Sequence, residues 1–150
     1  MRITSKADYA VRAMIELATA DGLLTAEGIA ARQGMPTRFL LNILNELRVA
    51  RLVESRRGRD GGYRLACPAA EVSVADVLRA VEGPLADVAG KAPEDLDYPG
   101  ATAPLRDVWI ATRGAVRQIL ETVTLDDLAA GELPEPVLKV LGDPGVQHRR

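Results

Sequence analysis

The stretch IAARQGMPTRFLLNILNELRVARLVESRRGRDGGYRLA, residues 29–66, decides the fold. Within it and just before it, AEGIAARQ (26–33) and TRFLLNILNELRVA (37–50) each predict a helix, and only three residues separate them. Thr25 is a suitable N-cap for the first helix, and Gly34 can end it because glycine adopts the left-handed conformation at little cost. Two helices joined by so short a turn predict a helix-turn-helix.

The second helix of this pair has two different faces. One face repeats apolar residues every three or four positions, and we expect it to be buried: Phe39, Leu40, Ile43, Leu44 and Leu47. The other face carries Arg38, Leu41, Asn42 and Asn45. A leucine among polar side chains needs either a protein partner or a groove to occupy.

A basic hairpin is predicted directly after this helix. LVESRR (52–57) and YRLAC (63–67) are β-prone runs on either side of the glycine-rich GRDGG. From Arg48 to Arg64 the chain holds six arginines, against Glu54 and Asp60 as the only acids. A helix-turn-helix followed by a basic hairpin predicts a winged helix.

Two further helices complete the predicted winged-helix DNA-binding domain, residues 1–83. The first is expected from about Lys6 to Ala18, since Ser5 and Asp8 have the spacing of a capping box. Ser73 and Asp76 repeat that spacing before another helix, which Gly83 and the proline after it would end.

The C-terminal part is predicted to mediate dimerisation. Residues 84–103 form a proline-containing acidic loop, and residues 104–130 form a long helix from Pro104 and a short terminal helix after Thr124, which has capping-box spacing to Asp127. An apolar stripe on a helix outside the small domain must be covered, and a two-fold homodimer is the commonest way. We expect the dimer contacts to come from Leu105, Val108, Trp109, Thr112, Val116, Ile119, Leu120 and Val123. Residues 131–150 are predicted to be a frayed C-terminal tail.

The predicted fold class is therefore mainly α with a small β-hairpin wing: a winged helix-turn-helix plus a long C-terminal dimerisation helix. Composition excludes several other classes of protein. No apolar run is long enough for a membrane span and no secretion signal is present, so we expect a cytoplasmic protein. Cys67 is the only cysteine, and His148 in the tail is the only histidine. The sequence thus offers no cysteine-based metal site within one chain and no paired nucleophile and base, which argues against an enzyme.

Charge is distributed unevenly along the chain. The net charge is −2, but residues 1–83 hold 12 Lys/Arg against 10 Asp/Glu, giving +2, while residues 84–150 hold 7 against 11, giving −4. The positive charge therefore falls in the predicted DNA-binding half, where a phosphate contact needs it.

These patterns assign roles toward double-stranded DNA. In a helix-turn-helix the second helix enters the major groove. Arg38 can bind guanine through its forked donors, Asn42 or Asn45 can bind adenine, and Leu41 can contact a thymine methyl, with Thr37 at the start of the same helix. We expect phosphate contacts from the start of the first helix, and contacts to phosphates or a narrow minor groove from the wing. These residues are Thr4, Ser5, Lys6 and Tyr9 in the helix and Arg56, Arg57 and Arg59 in the wing.

The chain resembles the Rrf-two family of bacterial winged-helix regulators, of the IscR, NsrR and CymR type. The resemblance rests on MRITSKADYAVRAMIELA (1–18), on residues 29–66, on VADVLRAVEGPL (74–85), and on PLRDVW and TLDDL nearer the C-terminus. Its most specific motif is RGRDGGYRL (57–65), close to the family's RGPGGGYRL. The resemblance implies a dimeric regulator that binds a promoter operator, with the long helix from Pro104 as the dimer interface.

The sequence departs from this family in two places. Many members hold an iron–sulfur cluster with cysteines in the loop before the dimer helix, and residues 84–103 contain none. The acids of that loop lack the regular spacing of a calcium loop, so we predict neither metal nor cofactor. Some members also carry Glu-Gln where this chain has Leu41 and Asn42, so a family operator is not assumed.

The sequence therefore predicts a sequence-specific DNA-binding repressor that acts as a homodimer without an iron–sulfur cluster. Its DNA affinity would respond to a small molecule or to a protein partner, or it would bind DNA constitutively; residues 84–103 do not choose among these alternatives. The alternative is a protein-interaction module that keeps the winged-helix fold without a specific operator, for which the acidic total charge and Asp60 are the supporting features.

Overall fold

A computed structural model describes residues 2–147; Met1 and residues 148–150, which include the predicted tail residue His148, lie outside the described part. The order of elements is α1 (Ser5–Ala18), α2 (Ala26–Gln33), α3 (Thr37–Val49), β1 (Val53–Arg56), β2 (Gly62–Leu65), α4 (Val74–Glu82), α5 (Leu105–Leu120), α6 (Leu125–Ala130) and α7 (Glu135–Leu141). Single 3₁₀ turns lie at 69–71, 93–95 and 100–102. The predicted fold class, mainly helical with a two-stranded antiparallel wing, is confirmed.

The core is centred on α3, which packs against α1, α2, α4 and β1. One face of α3 is completely buried through Leu40, Ile43, Leu44 and Leu47. Other helices and the wing add Met14, Ile29, Val53 and Val77 to the same cluster. Burying side chains of this size contributes about 1.5–3 kcal/mol each, so this cluster holds the DNA-binding elements in one unit.

The helix-turn-helix forms as the sequence predicts. The Thr25 side chain accepts a hydrogen bond from the Gly28 amide at 3.1 Å and caps α2. Gly34 ends that helix with φ 63° and ψ 40°, the left-handed conformation that glycine tolerates best. The Met35 amide then donates to the Ala30 carbonyl at 3.0 Å, which closes the turn before α3.

The chain returns to the winged-helix core after α5. The amide of Val74 donates to the carbonyl of Val123, and the amide of Leu125 donates to the carbonyl of Val72, each at 2.9 Å. Capping boxes form at Ser73 and at Thr124, as predicted, so α4 and α6 start side by side. Residues 123–130 thus pack in the same core as the first 83 residues, and α6 lies against α1.

Two helix boundaries differ from the sequence prediction. Thr4 caps α1, because its side chain accepts from the Ala7 amide at 3.0 Å; the predicted capping box of Ser5 with Asp8 is wrong. Asp8 instead pairs with Arg12 at 3.1 Å. A helix also forms in the predicted tail, α7, and the proline at 136 is compatible with it because it falls in the first turn, where a missing amide costs nothing.

Two apolar residues also lie elsewhere than predicted. Phe39 is 37% exposed at the edge of the α3 stripe and packs edge-on against Tyr9. Val123 is expected on the long helix, but α5 ends at Leu120, and Val123 is only 6% exposed in the core of its own chain. It therefore does not belong to the predicted dimer surface.

A polar network joins α1 to the end of α2. Arg12 donates through Nε to the side-chain oxygen of Gln33 at 3.1 Å and also to the Gln33 carbonyl. Glu16 accepts from the Gln33 amide group and from Arg32, whose Nε lies 2.8 Å away. The bond from Gln33, followed by the interactions with Arg32, lowers the pKa of Glu16 against the opposing effect of burial.

Among the residues that the structure describes, none of the helices combines the length and apolar character that crossing a bilayer requires.

The network makes stability depend on pH. Because the pKa of Glu16 is lower in the folded chain than in the unfolded chain, its contribution is present above the unfolded pKa and is lost as the pH falls through the folded pKa. We expect Glu16→Gln to lower the free energy of unfolding at pH 7 and to differ progressively less from wild type as the glutamate is protonated. Urea unfolding at several pH values measures this. Glu132→Gln, at an exposed site, is the control; equal behaviour of the two variants would contradict the prediction.

Candidate nucleic-acid interface

The exposed face of α3 is the face that the sequence assigns to base recognition. Arg38, Asn42 and Asn45 are exposed, Thr37 is half-buried at the start of the helix, and Leu41 is 40% exposed. The position of Leu41 follows from helix geometry, because its neighbours Leu40, Ile43 and Leu44 take the buried face. An exposed leucine is thus held among polar groups at the N-terminal half of α3.

A groove of about 700 Å³ runs between α3, the start of α2 and the wing. On one side it is lined by Leu41, Asn45 and Arg48. On the other it is lined by wing residues that include Arg56, Arg57 and Arg59. Of the predicted residues of α3, Leu41 and Asn45 therefore share one concave surface with the wing arginines, whereas Thr37, Arg38 and Asn42 do not line it.

Arg48 belongs to this surface, although the sequence-based set of site residues omits it. It lies one turn after Asn45 on α3 and donates to the Asn45 side-chain oxygen at 2.9 Å. The signal was available, because Arg48 is the first of the six arginines between 48 and 64 and has the i+3 spacing that places it beside Asn45. Thr25, Glu27 and Tyr63 also line the groove.

The wing is a short antiparallel hairpin with a basic tip. Val53 pairs with Leu65 and anchors β1 in the core, while Glu54 pairs with Arg64 in register and forms a 2.8 Å ion pair across the strands. Residues 57–61 form the tip, where Arg57 and Arg59 are exposed. The tip therefore carries two arginines against Asp60.

Two glycines allow the wing to close and to attach to the body of the domain. A Cβ on Gly61 would lie 2.2 Å from the Arg56 carbonyl oxygen, and one on Gly62 would lie 2.6 Å from the Leu24 carbonyl oxygen. The close approach at Gly62 lets Leu24 and Tyr63 exchange backbone hydrogen bonds of 2.9 and 2.8 Å. The segment between α1 and α2 therefore holds the wing beside α3.

The start of α1 is arranged differently from the sequence prediction. The Thr4 hydroxyl donates to Glu82 at 2.5 Å. Lys6 donates to the Val81 carbonyl at 2.6 Å and pairs with Glu46 at 2.7 Å. Both side chains are used within the chain, where they join α1 to α3 and α4, and neither lines the groove.

The other two residues predicted at this helix start differ from each other. Ser5 is exposed, and Tyr9 is half-buried. The rings of Tyr9 and Phe39 meet edge to face, 5.9 Å apart, and the Arg12 guanidinium lies 5.5 Å from the centre of the Tyr9 ring. Tyr9 thus supports the first turn of α3 from behind, a contact that the spacing of the sequence does not reveal.

Comparison with known proteins identifies the architecture. Residues 3–131 match the family model described as Rrf2, iron-dependent transcriptional regulator. The chain belongs to the Rrf2 family. The Rrf2 match covers the winged helix, the loop and both helices that follow it, in agreement with the resemblance that the sequence motifs carry.

Sequence relatives of this Rrf2 protein are named as transcriptional regulators. A protein of Mycobacterium tuberculosis strain H37Rv named as an HTH-type transcriptional regulator is 51% identical over 150 residues, covering 99% of this chain and 93% of the relative. CymR, an HTH-type transcriptional regulator of Bacillus subtilis, is 35% identical over 132 residues, covering 87% of this chain and 91% of CymR.

Comparison with solved structures gives the same result as comparison with sequence relatives. The structure of CymR, described as the global cysteine regulator of B. subtilis, matches with a TM-score of 0.74 at 34% identity and covers 87% of this chain and 98% of that one. IscR of T. potens matches with a TM-score of 0.70 at 30% identity, covering 88% and 89%. This Rrf2 protein is accordingly a winged-helix, DNA-binding transcriptional regulator and not an enzyme.

The residues of this chain do not fit the iron in the family's description. An iron–sulfur cluster needs several thiolates, and the only cysteine, Cys67, lies beyond the wing with its sulfur 3.8 Å from the Arg51 carbonyl oxygen. Within residues 2–147, no group of three or more His, Cys, Asp and Glu side chains is placed to hold a metal ion. The family's iron chemistry therefore finds no donor set among residues 2–147.

The attachment of the wing to the body of the domain can be tested by substituting Gly62. Gly62→Ala would press a methyl group on the Leu24 backbone at a φ of 152°, and we expect a loss of about 1–3 kcal/mol in the free energy of unfolding together with weaker DNA binding. Gly22→Ala is the matched control because a Cβ there meets nothing within 4 Å. Denaturant unfolding compares the two; a Gly62→Ala protein as stable as Gly22→Ala would show that the Leu24–Tyr63 pairing is dispensable.

Proposed function

We propose that this Rrf2 regulator binds a two-fold-related operator as a homodimer and represses the promoter that contains it. The observation that carries the proposal is the groove in which the exposed Leu41 and Asn45 of α3 face the arginines of the wing. A major-groove helix beside a basic wing can read base edges and hold phosphates at the same time. Since a bacterial operator lies in the cytoplasm, the dimer would act there.

Base recognition is assigned to the first two turns of α3. Arg38 can donate two parallel hydrogen bonds to guanine, and Leu41 can cover a thymine methyl. Of the two asparagines, Asn45 already accepts a hydrogen bond from Arg48. Asn42 is therefore the better reader of adenine, because adenine requires both the oxygen and the amide group of the side chain.

Phosphate binding is assigned to the wing. Arg56, Arg57 and Arg59 are exposed around the groove, and they outnumber Asp60 at the tip. Arginine at this position can contact phosphates or enter a narrow minor groove, whose negative potential attracts guanidinium groups. This local charge compensates for a chain whose total charge is −2.

Dimerisation is assigned to α5. None of its 16 residues is buried within its own chain. The residues of the predicted stripe share one face of α5 but differ in exposure: Trp109, Val116, Ile119 and Leu120 are half-buried, and Trp109 donates to the Tyr98 hydroxyl at 3.2 Å. Leu105, Val108 and Thr112 are exposed. These exposed residues lie in the N-terminal half of α5, and this part of the stripe is the one available to a second copy.

A different side of α5 from the predicted stripe also leaves room for another helix to approach closely. A shallow groove there is lined by Ala111, Gly114 and Ala115, and a Cβ at Gly114 would meet nothing within 4 Å. Small residues leave room for a symmetry-related helix, and a two-fold dimer would present two α3 helices, as a two-fold-related operator requires.

Because residues 2–147 hold no donor set for a cluster, the DNA affinity of this protein would answer to a small molecule or to a protein partner. One route from the C-terminal part to α3 runs through α4, which packs against both α5 and α3, and another runs through α6 and α1.

The operator and the division between base contacts and phosphate contacts are tested together. Footprinting on fragments of the protein's own promoter region should reveal a two-fold-related protected site. On that site we expect Asn42→Ala to weaken binding by about 1–3 kcal/mol, or roughly 10- to 100-fold, with little effect on random DNA. Arg57→Ala should weaken binding to both DNAs and lower the slope of log affinity against log salt by about 1.

Arg106→Ala, which removes the same charge from an exposed residue of α5, should leave both affinities unchanged. Arg38→Ala should behave like Asn42→Ala. Equal losses for Asn42→Ala and Arg57→Ala on both DNAs would reject the division between base and phosphate contacts. Absence of protection at low salt would reject the operator.

A variant of the dimer surface can be compared with a closely matched control variant elsewhere in the chain. Val108 on α5 and Val146 near the C-terminus are both 52% exposed. Burying an unpaired carboxylate in an interface costs several kcal/mol, so Val108→Glu should raise the dimer dissociation constant by at least about 100-fold and weaken operator binding. Val146→Glu should remain dimeric. Light scattering measures the mass, and a dimeric Val108→Glu protein would exclude this face.

A further inference from the structure

A second concave surface lies between α4 and α5, away from the DNA-binding groove. It is a cleft of about 460 Å³ lined by Arg79, Gly83, Pro84, Leu85, Arg113 and Arg117. Among the described residues that line it, three are arginines and none is acidic. We call it the arginine cleft.

The three arginines of the cleft contact three carboxylates of the same chain, and two of the arginines share one of them. Arg79 and Arg117 both donate to the same oxygen, Oε1 of Glu121. Arg113 pairs with Glu94 at 2.6 Å, and Arg79 lies 3.6 Å from Asp76. A guanidinium has five N–H donors, so these few contacts leave most of the donors of the three arginines to solvent or to a ligand.

The arginines hold their carboxylates in the charged form. Bonds from Arg79 and then Arg117 lower the pKa of Glu121, and the bond from Arg113 lowers that of Glu94. The cleft thus already binds two carboxylates of its own chain, one from the acidic loop and one from the end of α5. Arginine binds carboxylate and phosphate through the same planar fork, so an external acid can replace either one.

The arginine cleft also lies at a connection between the two halves of the protein. Arg79 is on α4, which packs in the winged-helix core, while Arg113 and Arg117 are on α5. Its floor is the start of the 84–103 loop, and Glu94 belongs to that loop. An anion bound here would contact the DNA-binding unit, the loop and the proposed dimer helix simultaneously.

We propose that the arginine cleft binds a small organic anion that carries at least two acidic groups, carboxylate or phosphate, and that the anion displaces Glu121 and Glu94 from the arginines. Displacement breaks the ion pair between Arg79 and Glu121 that ties α4 to α5 and thereby lowers operator affinity. The second part rests on the proposed function; the first does not.

Binding is tested by calorimetry on the full chain without DNA, at constant ionic strength. Citrate and succinate probe the carboxylate source, pyrophosphate probes the phosphate source, and acetate is the singly charged control. We expect at least one of the polyanions to bind at least tenfold more tightly than acetate. Arg113→Gln should weaken that binding tenfold or more, Arg113→Lys should weaken it less, and Lys139→Gln, at an exposed site of α7, should not change it.

A variant with the opposite sign separates a binding site from a folding defect. Glu94→Gln removes a competing carboxylate, so it should bind the polyanion more tightly than wild type does. Failure of every polyanion to exceed acetate, or equal affinity in the Arg113→Gln protein, overturns the site. If a polyanion binds but operator affinity stays unchanged, the site stands and its regulatory role is overturned, while the operator proposal is unaffected.

Discussion

The burial of one face of α3 is the constraint on which the other elements depend. Leu40, Ile43, Leu44 and Leu47 must all leave water, and only the combined surfaces of α1, α2, α4 and β1 cover them. Rotating α3 about its axis would expose this stripe, so the helix has a single orientation in which its polar face is outermost. The same packing that stabilises the domain therefore orients the residues available to DNA.

The local features of the fold were predictable because they are encoded within a few residues. Thr25 and Gly34 bound α2, and Ser73 and Thr124 each form a capping box with the aspartate three positions later. The predictions were wrong where adjacent residues compete for one role. Thr4 and Ser5 are both good N-caps, and spacing to Asp8 favours Ser5, yet Thr4 takes the position and also bonds Glu82.

The interface was predictable in outline and less so in detail. The exposed face of α3 follows from its period, and the wing follows from its glycines and arginines. Pairings between distant residues could not be inferred: Lys6 contacts Val81 and Glu46, and Tyr9 supports Phe39. The arginine cleft could not be predicted for the same reason. Arg79 and Arg117 lie 38 positions apart, and they share Glu121 only because the chain returns to the core after α5.

That return has a consequence for how such a protein can diversify. Residues 72–74 and 123–125 are joined by two backbone hydrogen bonds and α4 itself packs in the core, so the part of the chain between α4 and α6 that leaves the core is an excursion with both ends fixed to the core. The entropic cost of closing a flexible excursion grows only with the logarithm of its length. Insertions, deletions and new side chains can therefore accumulate in the excursion while the DNA-reading unit keeps its shape, and a regulator can exchange the stimulus it detects without rebuilding the surface that reads its operator.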